Sequence, residues 1–237
     1  MFPEVVTDAA WALVTLGVIN VLYGAAVTLQ QTDLKRLIAF SSISHMGYVL
    51  IGVSSAAGAA GSFSSVGLTG ASMQMFTHGT ITGLLFLSVG LVYEKAHTRY
   101  IPDLGGLASR MPIVATVFLV AALAALGLPG TSGFVSEILV FLGTFPVWGI
   151  GTSLGAFGIV ITAGYILWMV QRTFFGPPTD RFATVRDASA MEMVPLLILV
   201  TAILVIGLYP AILTDVFSAG VEPIVNAIRD PAQLALR

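Results

Sequence analysis

The sequence predicts an all-α polytopic membrane bundle of about six transmembrane helices, one of them discontinuous. Three observations predict it. Of 237 residues, 57% are hydrophobic and only 9% charged, against about 25% charged in a soluble domain, and the mean hydropathy is +0.96. Six apolar segments are each long enough to cross a bilayer, which takes about 20 helical residues for ~30 Å of hydrocarbon. The fourth contains Gly127-Leu128-Pro129-Gly130, a helix-breaking run at membrane depth. Runs this long are helices, because lipid offers no partner for an open sheet edge.

The elements follow in order. The first segment, Ala9–Leu29, is preceded by Glu4 and Asp8 and by no basic run, so it is expected to be a retained span and not a signal peptide. The second, Leu37–Ser54, opens with Gln31-Thr32-Asp33-Leu34-Lys35-Arg36. There Thr32 is the expected N-cap, with Asp33 in the first turn, where the helix dipole favours a carboxylate. The third is Gly70–Tyr93. The fourth, Ile113–Phe145, is too long for one straight span; Gly127, Pro129, Gly130 and Gly133 are expected to break it, and Ser132 to cap its second half. Thr152–Phe175 and Met193–Leu213 complete the set. The tail, residues 215–237, carries Val216, Phe217, Val221, Ile224 and Val225 among polar residues. It is expected to lie outward along the interface as a short amphipathic helix interrupted by Pro223. With no internal repeat and no linker, residues 1–237 read as a single membrane domain.

Charge sets the sidedness. Lys35 and Arg36 follow the first span, Lys95, Arg99 and Arg110 the third, and Arg172, Arg181 and Arg186 lie at the end of the fifth and in the loop after it; the intervening loops, Ser55–Thr69 and Thr144–Gly151, have no Lys or Arg. The positive-inside rule makes the basic side cytoplasmic and turns both chain ends outward, to the periplasm if the membrane is a bacterial inner membrane. A net charge of −2 argues against nucleic acid as a partner. The absence of cysteine removes thiolate ligands for iron–sulfur clusters, and no phosphate-binding glycine motif or HExxH is present, so no cofactor or metal is expected in this chain.

Chemistry concentrates in three ionisable residues inside otherwise uncharged spans: His45, His78 and Glu137. An ionisable group at bilayer depth costs about 2.5 kcal/mol or more, so such groups face a bundle interior or a wet path. Ser41, His45 and Tyr48 form one stripe at i, i+4 and i+7, and Gln74, His78 and Thr82 repeat the pattern on the next span. A single histidine of this kind reads as a hydrogen-bonded packing residue. Two such stripes on adjacent spans favour proton transfer over the alternative of polar helix–helix bonding, because histidine both accepts and donates a proton near neutral pH, and Glu137 falls about one turn beyond the expected break. His97 falls in a basic loop and reads as a surface residue, and Lys35 as an orientation anchor.

The same residues carry a family likeness. Gln31–Gly52 (QTDLKRLIAFSSISHMGYVLIG), Met73–Arg99, Leu104–Pro112 (LGGLASRMP) and Leu126–Glu137 (LGLPGTSGFVSE) resemble, in that order, the antiporter-like subunits of proton-pumping NADH:quinone oxidoreductase. The M-type branch, counterpart of mitochondrial subunit 4, is the nearest match. The resemblance implies a fold of two inverted repeats, each with a broken helix, of which this chain is similar to the second repeat plus the final helix. It implies a central relay at His45 and His78 and an outer titratable group at Glu137. Related subunits place lysine at this last position, which singles out the M type. It further implies partners in other membrane-arm subunits, with NADH, FMN, iron–sulfur clusters and quinone held elsewhere. The first repeat would then come from another chain, unless this is a truncated, non-conducting fragment. A subunit of a multi-subunit sodium/proton antiporter is the alternative within the fold. A haem carrier using His45 and His78 is the alternative of another class, and it would show a Soret band.

Overall fold

The computed structural model describes residues 3–58 and 62–229, so the centre of the Ser55–Thr69 loop and the last eight residues of the tail lie outside the described residues. The helices are α1 (Pro3–Leu29), α2 (Leu34–Ser54), α3 (Ser65–Ala96), α4 (Pro112–Ala125), α5 (Ser132–Phe174), α6 (Ala190–Leu208) and α7 (Ala211–Arg229). Six of them, all but α4, are long and apolar enough to cross a membrane. The polytopic all-α class read from the sequence is the observed one, with shifted ends. The second helix begins three residues earlier than expected, and the third extends beyond its apolar segment at both ends.

The start of α2 is capped by Asp33, not Thr32: Asp33 Oδ1 accepts from the Arg36 N–H at 3.0 Å. Thr32 is occupied otherwise, because residues 32–34 pair in extended conformation with 99–101. Thr32 O accepts from Ile101 N–H (2.8 Å) and Arg99 O from Leu34 N–H (3.0 Å). Arg99 Nε then donates to Asp33 Oδ2 at 2.7 Å, so one carboxylate serves a helix cap and an ion pair.

The expected break falls at residues 126–131, between α4 and α5. Gly127 (φ 70) and Gly130 (φ 92) both take the left-handed conformation that side chains disfavour. Two details differ from the sequence reading. The N-cap of α5 is Thr131 and it makes no side-chain cap bond; Ser132 is already helical, and its buried hydroxyl has no hydrogen-bond partner among the described residues. Gly133 is likewise inside α5. Its role is close approach, since a Cβ there would strike the Ala124 carbonyl at the end of α4.

No open loop separates the fourth and fifth predicted spans. Helical bonding runs on through residues 132–174, but Trp148 leaves helical geometry (φ −131, ψ 50) two residues after Pro146. The two legs fold back on each other there. Thr152 Oγ1 donates to Thr144 Oγ1 at 3.0 Å, and a Cβ on Gly155 would lie 3.9 Å from Phe141. A straight helix would separate residues fourteen apart by about 21 Å. The basic-free turn is therefore a hairpin tip made of helix.

The last predicted span ends at Leu208, and Pro210 starts a new helix instead of continuing the old one. The tail is more regular than expected: α7 is helical through Pro223 and packs Val221, Val225 and Ile228 inward. Burying that face offsets the roughly 3 kcal/mol that an interior proline costs.

The basic loops gather at one end of the bundle. Besides the pairing of residues 32–34 with 99–101, Gly106 N–H donates to Phe175 O (3.3 Å), Arg181 pairs with Asp103 (3.4 Å) and Lys95 with Glu192 (2.9 Å). At the other end Ala10, Val14, Ala56, Ala57, Trp148 and Ile228 form a small apolar cluster, and Trp148 Nε1 donates to Ser54 O at 3.1 Å. The start of α1 and the end of α7 thus lie together, opposite the basic loops.

Candidate functional site: a buried histidine–glutamate cluster

Three helices bring the three titratable residues together. His45 on α2 is 3% exposed and Glu137 on α5 is 5% exposed. His45 Nδ1 stands 3.6 Å from Glu137 Oε1. That is beyond hydrogen-bond range yet too short to admit a water, so a closing movement of about 0.5 Å would make the bond. The rings of His45 and His78 are 5.1 Å apart, tilted by 33°. His78, on α3 and partly exposed, reaches across to α2, where its Nε2 meets Ser42 Oγ at 3.1 Å. A cavity of about 10 Å³ lies among Ser41, His45, Gln74, His78, Thr82 and Glu137, at the lower limit of room for one water.

The break shapes the acid's environment. Glu137 lies about one and a half turns into α5, and its Oε2 would be 2.5 Å from a Cβ on Gly127. The carboxylate thus occupies space that only glycine leaves free, and Gly127 also has the positive φ that glycine accepts at least cost.

The supporting stripes are distributed less uniformly than their spacing suggests. Gln74 is tied across the interface: Ser136 Oγ donates to Gln74 Oε1, and Ser136 Oγ also meets Thr77 Oγ1 at 2.9 Å. Ser41 and Thr82 line the cavity but give their protons to their own helices, to Ile38 O (2.8 Å) and His78 O (2.6 Å). Tyr48 packs edge-on against His45 at 5.9 Å and against Phe141 at 5.4 Å. Its buried hydroxyl lies near Thr162 and Ser44 without hydrogen-bond geometry to either. Of the proposed break residues, Gly127 borders the carboxylate and Gly133 lines the same cavity.

Ser42, Thr77 and Ser136 are the participants that stripe analysis missed. Each adjoins a stripe residue or the acid in sequence, but periodic spacing follows one face of one helix and does not find partners that cross between helices. Neither lysine enters the site: Lys35 is exposed at the start of α2, and Lys95 is engaged with Glu192. His97 is exposed at the left-handed C-cap of α3.

Apolar layers close the cluster along the bundle axis. Toward the hairpin tip stand Val21, Ile51 and Val140, packed with Tyr48. Toward the basic loops stand Ile81, Leu84 and Leu85. The partly exposed members, Ser42, His78 and Thr82, lie on the flank. The arrangement can therefore hold a proton, pass it among neighbours and exchange it sideways more readily than along the axis.

Comparison with known proteins agrees with this architecture. Residues 1–162, which contain the whole cluster, match the family model described as NADH:quinone oxidoreductase/Mrp antiporter, transmembrane. The chain is 38% identical to NAD(P)H-quinone oxidoreductase chain 4 of Prochlorococcus marinus, over 100% of this chain and 44% of that protein. It is 40% identical to NADH-quinone oxidoreductase subunit M of Rickettsia felis, over 94% of this chain and 44% of that protein. It therefore spans less than half the length of these relatives. Among solved structures, respiratory complex I from Thermus thermophilus with bound NADH contains a chain that superposes with TM-score 0.85 at 31% identity, covering 96% of this chain and 46% of that one. The Mrp complex from Dietzia shares the fold, with TM-score 0.82 at 20% identity.

Proposed function

We propose that this chain, which belongs to the NADH:quinone oxidoreductase/Mrp antiporter family of membrane subunits, transfers protons within the membrane arm of an NADH:quinone oxidoreductase. The observation that carries the reading is the contiguous buried set Glu137–His45–His78 at a broken helix. A structural acid needs no titratable neighbours; a transfer site does. In this scheme a proton leaves Glu137 Oε1 for His45 Nδ1, giving carboxylate and imidazolium. The proton on the other ring nitrogen, Nε2, is then the one to pass on toward His78, and the total charge of the set is conserved. Each occupancy changes the proton affinity of its neighbours, so the set titrates as a unit.

In this reading quinone reduction takes place elsewhere and drives the transfer. NADH, flavin, iron–sulfur clusters and quinone belong to partner subunits. The alternative is a subunit of a cation/proton antiporter, favoured by a family description that covers both kinds of assembly. Purification of the chain from gently solubilised membranes separates the two. Co-elution of NADH-dependent quinone reduction is expected. Elution with sodium/proton exchange partners and no NADH oxidation would overturn the oxidoreductase reading.

Orientation belongs to the same proposal: the basic loops face the cytoplasm. The chain has no cysteine, so a single cysteine at Ser62 or at Ala183 reports sidedness directly. In sealed cells an impermeant thiol reagent is expected to label Ser62→Cys and to spare Ala183→Cys. The reverse pattern would invert the topology.

A further inference from the structure

We propose that the segment from Asp187 to Gly207 is a strut that joins the N-terminus of α4 to the start of α5 across the break, and that Asp187 and Gly207 are positioning residues for Glu137. The inference rests on the proton-transfer reading of the Glu137 cluster.

The first contact is at the basic end. The N-terminus of α4 has Pro112 at its first position and no side-chain cap of its own. Asp187, more than seventy residues later, supplies the cap: Oδ2 accepts from Ile113 N–H at 2.6 Å and Oδ1 from Val114 N–H at 3.2 Å. A carboxylate on the free amides of a helix start satisfies both their hydrogen bonding and the helix dipole. The same segment is fastened to α3, because Lys95 Nζ donates to Asp187 O (3.2 Å) and to Glu192 Oε2 (2.9 Å). Ser189 and Glu192 then start α6 with a reciprocal capping box.

The second contact is at the break. Gly207, one residue before the end of α6, approaches so closely that a Cβ there would collide with Gly130 O and with the backbone of Thr131. Leu208 lies beside Gly130. Between the two ends, Leu196 and Ile203 are buried in the same core as Val114, Phe118 and Ala121 of α4. A helix of 19 residues is about 28 Å long, enough to run beside the whole of α4 and reach the break.

The consequence for the acid is geometric. The break is gripped from one side by Gly207, and its Gly127 bounds the Glu137 carboxylate on the other. Moving α4 along its axis, or moving the break away from α6, alters the space left for that carboxylate and its separation from His45. The family match ends at residue 162, so the strut lies outside the part of the chain that it describes.

The test uses the complete complex in everted membrane vesicles. Asp187→Ala, Asp187→Asn and Gly207→Ala are compared with Gly220→Ala, whose added methyl meets open space, each alone and combined with Glu137→Gln. Three quantities are read: assembly on a native gel, the rate of NADH-driven proton uptake, and the infrared C=O band of Glu137, identified by its loss in Glu137→Gln. Asp187→Ala and Gly207→Ala are expected to lower uptake by roughly tenfold, the scale of a positioning error of under an ångström, and to shift the carboxyl band. Asp187→Asn, which keeps one acceptor for α4, should recover most of the uptake, and Gly220→Ala should match the parent. In the Glu137→Gln background neither strut variant should lower uptake further.

Assembled Asp187→Ala and Gly207→Ala complexes with unchanged uptake and an unshifted band would overturn the strut, as would losses that add to that of Glu137→Gln. If Gly207→Ala fails to assemble, Asp187→Ala decides alone, since it removes hydrogen bonds at the bundle's end without introducing a collision. Failure of the underlying reading looks different: Glu137→Gln itself would then leave uptake intact, while the band shift in Asp187→Ala would still report the strut.

Discussion

Replacing Glu137 by glutamine is expected to lower NADH-driven proton uptake on the order of 10²-fold, the lower range for losing a positioned acid–base group, with assembly intact. Glutamine keeps the shape of the side chain, so the packing against Gly127 survives. What disappears is the acid that stands 3.6 Å from His45 Nδ1 and, in the proposed scheme, exchanges a proton with it. Because uptake and electron flow are coupled in the proposed complex, NADH oxidation should fall with it. Glu137→Lys restores a titratable group, the residue type that the resemblance places here in related subunits, and should retain more uptake than glutamine. Recovery should be incomplete, because a cation beside His45 opposes protonation of the imidazole where a carboxylate assists it. Proton uptake and NADH oxidation in everted vesicles decide the matter. A glutamine variant that assembles and pumps like the parent would remove Glu137 from the path and leave the cluster a structural one.

The parts of this chain that were legible in the sequence are those governed by local rules. Hydropathy locates the spans because the bilayer penalises each exposed polar group separately, and the Gly127–Gly130 run shows the break because its backbone requirements are intrinsic to those residues. Helical periodicity placed His45 with Ser41 and His78 with Gln74 for the same reason. What it could not give is rotation about one helix axis relative to another, which packing sets. Glu137 therefore read as a separate outer station, whereas the structure seats it against His45, and the Ser42–His78 and Gln74–Ser136 bonds were invisible. The caps failed for a related reason. Thr32 is the better local guess, but pairing with residues 99–101 takes its carbonyl and turns Asp33 into the cap. The cap of α4 comes from Asp187, which no local rule would associate with Ile113. Pro223 is the opposite case: a strong local rule against a continuous helix, outweighed by the inward face of Val221, Val225 and Ile228.

Gly127→Ala should cripple the site while sparing the fold, because two effects fall on one added methyl group. The left-handed backbone (φ 70) costs a non-glycine residue roughly 1–2 kcal/mol, a loss that should appear as modestly reduced thermal stability of the assembled complex. The second effect is directional. The new Cβ would sit 2.5 Å from Glu137 Oε2, the far end of a flexible side chain, so the carboxylate yields before the backbone does. Its displacement disturbs the 3.6 Å approach to His45, and a misplacement near 1 Å can cost up to about 10²-fold in a transfer step. Uptake should therefore fall by about tenfold or more, whereas Gly90→Ala on the exposed face of α3, where a methyl meets nothing within 4 Å, should be silent. The decisive measurement is the double variant with Glu137→Asp. Aspartate is one methylene shorter and withdraws from the added methyl, so the pair should lose less than the two single losses combined, a favourable coupling measurable as a double-mutant cycle. Strict additivity would mean that Gly127 acts on the backbone alone and does not shape the space around the acid.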